Sequence, residues 1–290
     1  MILNNAKVIV AMITPFNEKN EVDYDVLPEL VEYLLANGND GLLLAGTTGE
    51  SPTLSHDEKL ELYKAVVKIV DGRVPLIANV GSNNTAESVA FAKEVAKIDG
   101  IHAGLAVVPY YNKPNQEGLY QHFKAISEAS DLPIMLYNVP GRTITSLSVE
   151  TILRLAKLTN IFAIKECAGL EQISQLVEQA PEDFYVYTGE DSLAFAAKSI
   201  GGQGVISVAS HHLGKEISSM YDFLERGNLT SAAGISRKLL PKMDILFSVP
   251  SPAPVKAVFK AQGINVGSPR LPLIDATKEE AKRILSVMNK

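Results

Sequence analysis

An amine set in an apolar run is the strongest chemical signal in the chain. Ile161-Phe162-Ala163-Ile164-Lys165-Glu166-Cys167-Ala168 reads as a strand, and side chains alternate faces along a strand, so Ile161, Ala163 and Lys165 point the same way. A lysine there carries a desolvation cost unless it is paired or used, and burial favours the neutral amine over the ammonium. A neutral amine attacks a ketone to form a Schiff base. The bland alternative is a lysine that snorkels to water past the strand end. Other reactive groups recur at the ends of similar runs and favour the chemical reading. Gly46-Thr47-Thr48-Gly49-Glu50 follows one run, Pro109-Tyr110-Tyr111-Asn112 another, and Tyr137-Asn138-Val139-Pro140-Gly141-Arg142-Thr143 a third. Thr188-Gly189-Glu190-Asp191 and Ile206-Ser207 close two more.

Each group has a use in Schiff-base chemistry. Lys165 would condense with a 2-oxo acid, and the iminium would serve as electron sink for loss of a C3 proton. Thr47 and Thr48, with their hydroxyls and turn N–H groups, supply donors for a carboxylate. Tyr137, Thr47 and Tyr111 can form a phenol–hydroxyl–phenol proton relay. Arg142 offers a bidentate fork for a second carboxylate. Singly these signals are weak, because Gly-rich turns are often plain turns and paired tyrosines more often pack than react.

What must position them is a repeating β-then-α pattern. Eight apolar runs (Val8–Phe16, Gly41–Gly46, Pro75–Val80, Ala103–Pro109, Pro133–Val139, Ile161–Cys167, Phe184–Glu190, Gly204–Ser210) are nearly continuous, as in a parallel sheet buried on both faces. Helical patterns lie between them, near Asp23–Asn37, Gln116–Ala129, Leu147–Leu158, Leu170–Gln179, Ser192–Ile200 and Lys215–Arg226. Two more are opened by Ser55 to Glu58, a capping box, and by Asn84 to Glu87, which repeats its pattern. Eight such units predict an α/β fold, a (β/α)₈ TIM barrel over residues 1–226. A doubly wound sheet would carry a glycine fingerprint after its first strand, where this chain has Ile13-Thr14-Pro15-Phe16-Asn17. Residues 227–290 read as a C-terminal extension of three helices, Leu229–Phe247, Ala253–Ala261 and Thr277–Met288. In a barrel of this kind active sites occupy the C-terminal strand ends, where the reactive residues fall.

Composition narrows the function classes. A net charge of −6 argues against a nucleic-acid or anionic-membrane surface, and no stretch approaches the ~20 apolar residues that cross a bilayer. Met1 to Lys7 shows no secretion signal. One cysteine, Cys167, excludes an internal disulfide and fits a reducing cytoplasm. No HExxH or Cys/His cluster predicts a metal site, and His211-His212 reads as a surface pair. The acidic turn Gly189-Glu190-Asp191 disfavours phosphate, so unphosphorylated carboxylates are the expected substrates.

Over nearly its whole length the sequence resembles the dihydrodipicolinate synthase family of pyruvate-dependent, Schiff-base-forming lyases. The likeness runs from Thr14-Pro15-Phe16 through the strand-end motifs to Pro254-Val255-Lys256 and Pro269-Arg270-Leu271-Pro272-Leu273. It implies pyruvate held as an imine on Lys165, Thr48 on its carboxylate, and Tyr137, Thr47 and Tyr111 as proton relay, with Tyr111 supplied by a neighbouring subunit. Arg142 matches the residue that receives the carboxylate of L-aspartate 4-semialdehyde, and Gly189 and Ile206 match backbone contacts to substrate. The resemblance implies no metal or organic cofactor, and a homotetramer built from tight dimers. Ser51, Pro52, His56, Lys59, Asn83, Glu87 and Tyr110 match a lysine effector site. There Lys59 replaces a common histidine and would repel the effector's positive charges, so weak or absent inhibition is expected. Cys167, less usual at its position, suggests sensitivity to thiol reagents. A sister lyase acting on N-acetylneuraminate or a 2-keto-3-deoxy sugar acid would share Lys165, Tyr137 and Thr48. A catalytically silent scaffold is the non-enzymatic alternative.

Overall fold

Aliphatic runs without alternating polar positions must be buried on both faces. β1 (Val8–Ala11), β2 (Gly41–Leu44), β3 (Leu76–Asn79), β4 (Ala103–Val107), β5 (Ile134–Asn138), β6 (Ile161–Glu166), β7 (Tyr185–Thr188) and β8 (Gly204–Ser207) are buried along almost their whole lengths in the computed structural model. They form a closed barrel in sequence order. Closure excludes the doubly wound sheet. The structure describes Leu3 and residues 5–290; the stretch Met1 to Lys7, in which no secretion signal was read, lies partly outside the described residues.

Helices separate the strands: α1 (Leu27–Ala36), α2 (His56–Val70), α3 (Thr85–Val95), α4 (Gln116–Ser127), α5 (Pro140–Thr143) with α6 (Val149–Leu155), α7 (Leu170–Gln179), α8 (Ala194–Ser199) and α9 (Ser210–Glu225). The C-terminal helices are α10 (Leu229–Ile245), α11 (Ala253–Ala261) and α12 (Lys278–Met288). The capping box at Ser55 forms in full. At Asn84 only half of it forms. The Asn84 side chain accepts from Ala86 N–H, while its own N–H donates to Ser82 Oγ at 3.0 Å instead of reaching Glu87.

Tertiary contacts divide the chain into two compact units, one of residues 1–7 and 75–206, the other of residues 8–74 and 207–290. In the first, β3 to β7 pair in parallel, and Tyr137, Lys165 and Tyr187 are register partners across β5, β6 and β7. Tyr187 donates its phenol to Ala6 O at 2.8 Å, anchoring the N-terminal segment.

In the second unit β1 pairs with β2, and α9 packs on β1 and α10. β1 stops five residues short of the expected Phe16 because the chain leaves the ladder for other partners. Ile13 N–H donates to His211 Nε2 at 3.1 Å, Thr14 Oγ1 to Gly49 O at 2.7 Å, and Phe16 N–H to Val266 O at 3.1 Å. His211 is therefore not half of a surface pair. It is fully buried and packs edge-on against Phe259, ring centroids 5.9 Å apart. Its Nδ1 lies 2.7 Å from Val208 O. Burial pushes the imidazoles down, His211 to about 3 and His212 to about 4. α9 also begins five residues earlier than its pattern indicated, with a kink at Leu213. The first-turn N–H groups of Ser210, His211 and His212 donate to Ser207 Oγ, Val208 O and Ala209 O, and Asn37 Nδ2 donates to the carbonyls of Ser210 and His211.

Candidate active site

Side-chain alternation along β6 puts Lys165 on one face and Glu166 on the other. Lys165 is 6% exposed, and its Nζ stands 4.5 Å from the centroid of the Tyr137 ring. The register pairing of Tyr137 with Lys165 creates this contact. Among the described residues no carboxylate forms an ion pair with Lys165. The snorkelling alternative is set aside by this burial.

Gly189, just past β7, leaves the lysine its room. A Cβ there would sit 2.6 Å from Lys165 Cε and inside contact distance of Cys167 Sγ. Gly189 N–H donates to Glu166 O at 2.9 Å, fixing this close approach. Burial pushes the Cys167 thiol up to about 12. That shift disfavours the thiolate that thiol reagents attack, while the residue itself is partly exposed. On the outer side, Glu166 accepts hydrogen bonds from Asn138, Ala168 N–H and Gln172. Burial raises its carboxyl to about 7 despite those donors.

Two further residues of this unit stand in loops. Arg142 lies on the four-residue α5, exposed, and its guanidinium forms no ion pair among the described residues. Tyr111 has a left-handed backbone, φ 75°, and is 87% exposed. Among the described residues no ring contact or hydrogen bond ties its side chain down. Asn83 Nδ2 donates to Tyr110 O at 3.1 Å, and Glu87 accepts from Ser82 Oγ at 3.4 Å, so Asn83, Glu87 and Tyr110 belong to one loop cluster. Ile206 is fully buried in β8.

The second unit carries the threonine turn. Its bracketing residues, Ala45 and Glu50, both have positive φ, 46° and 57°. This is uncommon for residues with a Cβ and needs surrounding structure to hold it. Glu50 N–H donates to Thr47 O and Ser51 N–H to Gly46 O. Thr48 is 5% exposed. The Glu50 carboxylate, also buried, pairs with Lys256 Nζ at 2.9 Å and accepts Arg270 N–H at 2.8 Å. Lys256 also donates to Ser268 O at 3.2 Å. The Phe16 ring has Lys256 Nζ 4.5 Å and Arg270 Cζ 4.3 Å from its centroid. Arg270 reaches Glu58, the residue that closes the α2 capping box, and Thr53 O. Burial lowers the Lys256 pKa, and the Glu50 charge opposes that shift. Ser51 and Pro52 lie in a short 3₁₀ turn, His56 and Lys59 in the first turn of α2.

This cluster was missed as a functional support. Its residues stand in the Pro254-Val255-Lys256 and Pro269-Arg270 motifs, but nothing local indicates that Lys256 meets a carboxylate 206 positions earlier. Among the described residues no group of three or more His, Cys, Asp or Glu is arranged to hold a metal.

The geometry has relatives. The chain is 63% identical over 288 residues to 4-hydroxy-tetrahydrodipicolinate synthase of Enterococcus faecalis, covering 99% of both chains. It superposes on a dihydrodipicolinate synthase crystal structure from Bacillus anthracis with a TM-score of 0.97 at 44% identity, covering 99% of each. A lysine-bound dihydrodipicolinate synthase from Cyanidioschyzon merolae matches with a TM-score of 0.95 at 42% identity, covering 98% of this chain and 97% of that one. The family model of the dihydrodipicolinate synthetases matches residues 4–290. With a buried, carboxylate-free lysine on β6 and full-length likeness of this order, the chain belongs to the dihydrodipicolinate synthetase family.

Proposed function

We propose that the chain condenses pyruvate with L-aspartate 4-semialdehyde to give 4-hydroxy-tetrahydrodipicolinate, a step of lysine and diaminopimelate biosynthesis. The observation that carries this reading is Lys165, buried beside the Tyr137 ring, with Gly189 clearing the space around its side chain and no carboxylate to tie it up.

The Lys165 amine attacks the keto carbon of pyruvate, and loss of water from the carbinolamine leaves an iminium. Loss of a C3 proton gives the enamine, with the iminium nitrogen accepting the electron pair. Tyr137, whose ring centroid lies 4.5 Å from the nitrogen, is the proton carrier, and Thr47 and Tyr111 extend the relay, Tyr111 coming from a neighbouring subunit. Thr48 and the turn N–H groups take the pyruvate carboxylate. The enamine attacks the aldehyde, whose own carboxylate is received by Arg142. The α-amino group of the bound semialdehyde then attacks the iminium carbon and displaces the Lys165 amine by transimination, closing the ring. Gly189 and Ile206 line the substrate with backbone groups. The iminium supplies the electron sink, so the reaction calls for no metal or organic cofactor.

The exposed Tyr111 fits an assembly in which subunits exchange that ring, a tight dimer or a tetramer of two such dimers. No helix among the described residues is long and apolar enough to cross a membrane. The single cysteine and the biosynthetic reaction support a cytoplasmic setting. Lys59 supports weak or absent feedback by lysine, and half-inhibition at micromolar lysine would contradict it.

Steady-state turnover of pyruvate with aspartate semialdehyde, against pyruvate with N-acetylmannosamine, tests the reading. Turnover with the semialdehyde alone is expected. Preference for the amino sugar would assign the chain to the sister lyases, and turnover of neither would leave a silent scaffold.

A further inference from the structure

Every group that Asn138 and Glu166 can offer is consumed in one closed ring of hydrogen bonds outside the β5–β6 ladder. Asn138 follows Tyr137 on β5, Glu166 follows Lys165 on β6, and the two are register partners just as the two reactive residues are. Asn138 Nδ2 donates to both carboxylate oxygens of Glu166, at 2.9 and 3.1 Å. Asn138 Oδ1 accepts Leu147 N–H at 3.0 Å and Ser146 Oγ at 3.2 Å. Gln172 Nε2 donates to Glu166 Oε2 at 3.1 Å and to Leu147 O at 3.0 Å, which closes the ring. Ala168 N–H fills Glu166 Oε1 at 2.7 Å. Both Asn138 and Glu166 are fully buried.

We infer that the Asn138–Glu166 pair is a positioning device for the reaction, setting Lys165 against Tyr137 and holding the Arg142 loop through the same amide. The reasoning is geometric. Past Glu166 the β5–β6 ladder keeps one further bond, Cys167 N–H to Asn138 O at 2.9 Å, and at this frayed end the outward neighbours of the reactive pair add their side-chain grip to it. Asn138 grips both sides from within the ladder, and Gln172 bridges the same two sides from outside it. The Asn138 amide nitrogen holds the lysine strand, and its amide oxygen staples Leu147, closing the loop that contains Arg142. The Glu166 carbonyl in turn holds Gly189 N–H at 2.9 Å. The orientation of the Asn138 amide is fixed by its partners, a carboxylate on one side and an N–H on the other. Buried networks of this kind tolerate no mismatched donor, because each unsatisfied group loses its water without replacement.

This inference rests on Lys165 being the imine-forming residue, and the experiment separates the two. The single variants Glu166→Gln and Asn138→Asp each oppose like groups, donor to donor or carboxylate to carboxylate. The double variant moves the carboxylate from 166 to 138, keeps the net charge, and restores a donor–acceptor pair while retaining acceptors for Leu147 and Ala168. Borohydride trapping rate with pyruvate, kcat, KM for aspartate semialdehyde and melting temperature are measured for all four proteins. A misplacement of about 1 Å costs on the order of 10²-fold in rate, so each single variant should lose about that much in trapping rate and kcat. The double variant should recover part of it, since Gln172 Nε2 still faces an amide donor at position 166. Gln172→Leu, which keeps the Asn138–Glu166 bonds but frees Leu147 O, should mainly raise KM for the semialdehyde. It serves as well if a single variant does not fold. Singles with wild-type trapping rates, a double variant no better than the singles, or changes confined to melting temperature would each overturn the inference. Absence of an imine in the wild-type protein would overturn the functional reading itself, and this inference with it.

Discussion

Two lysines of this chain are buried almost equally and are treated in opposite ways. Lys256 is 2% exposed, and its ammonium is matched to the Glu50 carboxylate at 2.9 Å, a carbonyl and an aromatic face. Lys165 is 6% exposed and has a tyrosine ring but no carboxylate. An amine matched to a carboxylate is tied up by that partner, whereas one without such a partner is left available to a carbonyl substrate. The difference teaches how one fold builds a structural cation and a reactive amine from the same side chain. The pairing decides, because burial hardly differs.

Replacing each lysine by methionine should therefore give mirrored results, which is the largest effect expected. Lys165→Met should abolish turnover while leaving the melting temperature equal to or above that of the wild-type, since an unpaired buried cation is removed. Lys256→Met should unfold early, because stranding Glu50 without its ion partner costs about 3–5 kcal/mol. The double variant Lys256→Met with Glu50→Gln should regain much of that loss. Activity assays beside thermal melts read both halves, and a Lys165→Met protein much less stable than wild-type would erase the contrast.

A smaller effect sharpens the reactive side alone. Gly189→Ala puts a Cβ where Lys165 Cε and Cys167 Sγ already are. Trapping of the pyruvate imine should slow about tenfold or more, within the range that misplaced reacting groups lose. A variant with unchanged trapping kinetics would show that the lysine side chain has room to spare.

The smallest effect concerns buried bases elsewhere. His211, His212 and His122 are held neutral by burial, at about 3, 4 and 4, below the 6.5 of a free imidazole. Their folded values are lowered, so the stability they permit is complete above pH 6.5 and is lost as pH falls from there, when the unfolded chain alone takes up protons. Glu166 acts in the other direction, its carboxyl raised to about 7 from 4.5, adding stability as pH falls between those values. The histidines outnumber it, so stability should fall between pH 6.5 and 4.5 by up to about 1.4 kcal/mol per uncompensated group per pH unit, and the melting temperature should drop with it. A flat profile over that window would contradict their assignment as neutral structural groups.

The same contrast separates what sequence reading reached from what it did not. Lys165 was legible because its neighbours Ile161, Ala163 and Ile164 announce a buried strand, and because alternation fixes its face. Tyr137 followed from the adjacent run, its register pairing with Lys165 being what two neighbouring strands of one sheet give. The roles of Lys256 and Arg270 were not legible. Their partners Glu50 and Glu58 lie more than 200 positions away, and an ion pair leaves no local period. His211 misled for a related reason. Polar residues side by side look solvated, yet its acceptor nitrogen meets the N–H of Ile13 just where β1 leaves its ladder. β1 itself read too long, since Ile13 to Phe16 stay buried while the N–H groups of Ile13 and Phe16 go to His211 Nε2 and Val266 O. Hydropathy reports burial and does not report the bonding partner.

Reductive trapping tests the central claim most directly. The protein is incubated with pyruvate and borohydride, digested, and the modified peptide located by mass spectrometry. A single adduct on Lys165, absent in Lys165→Met and unaffected in the paired Glu50–Lys256 cluster, is the predicted result. No adduct, or one on Lys256, would contradict the account.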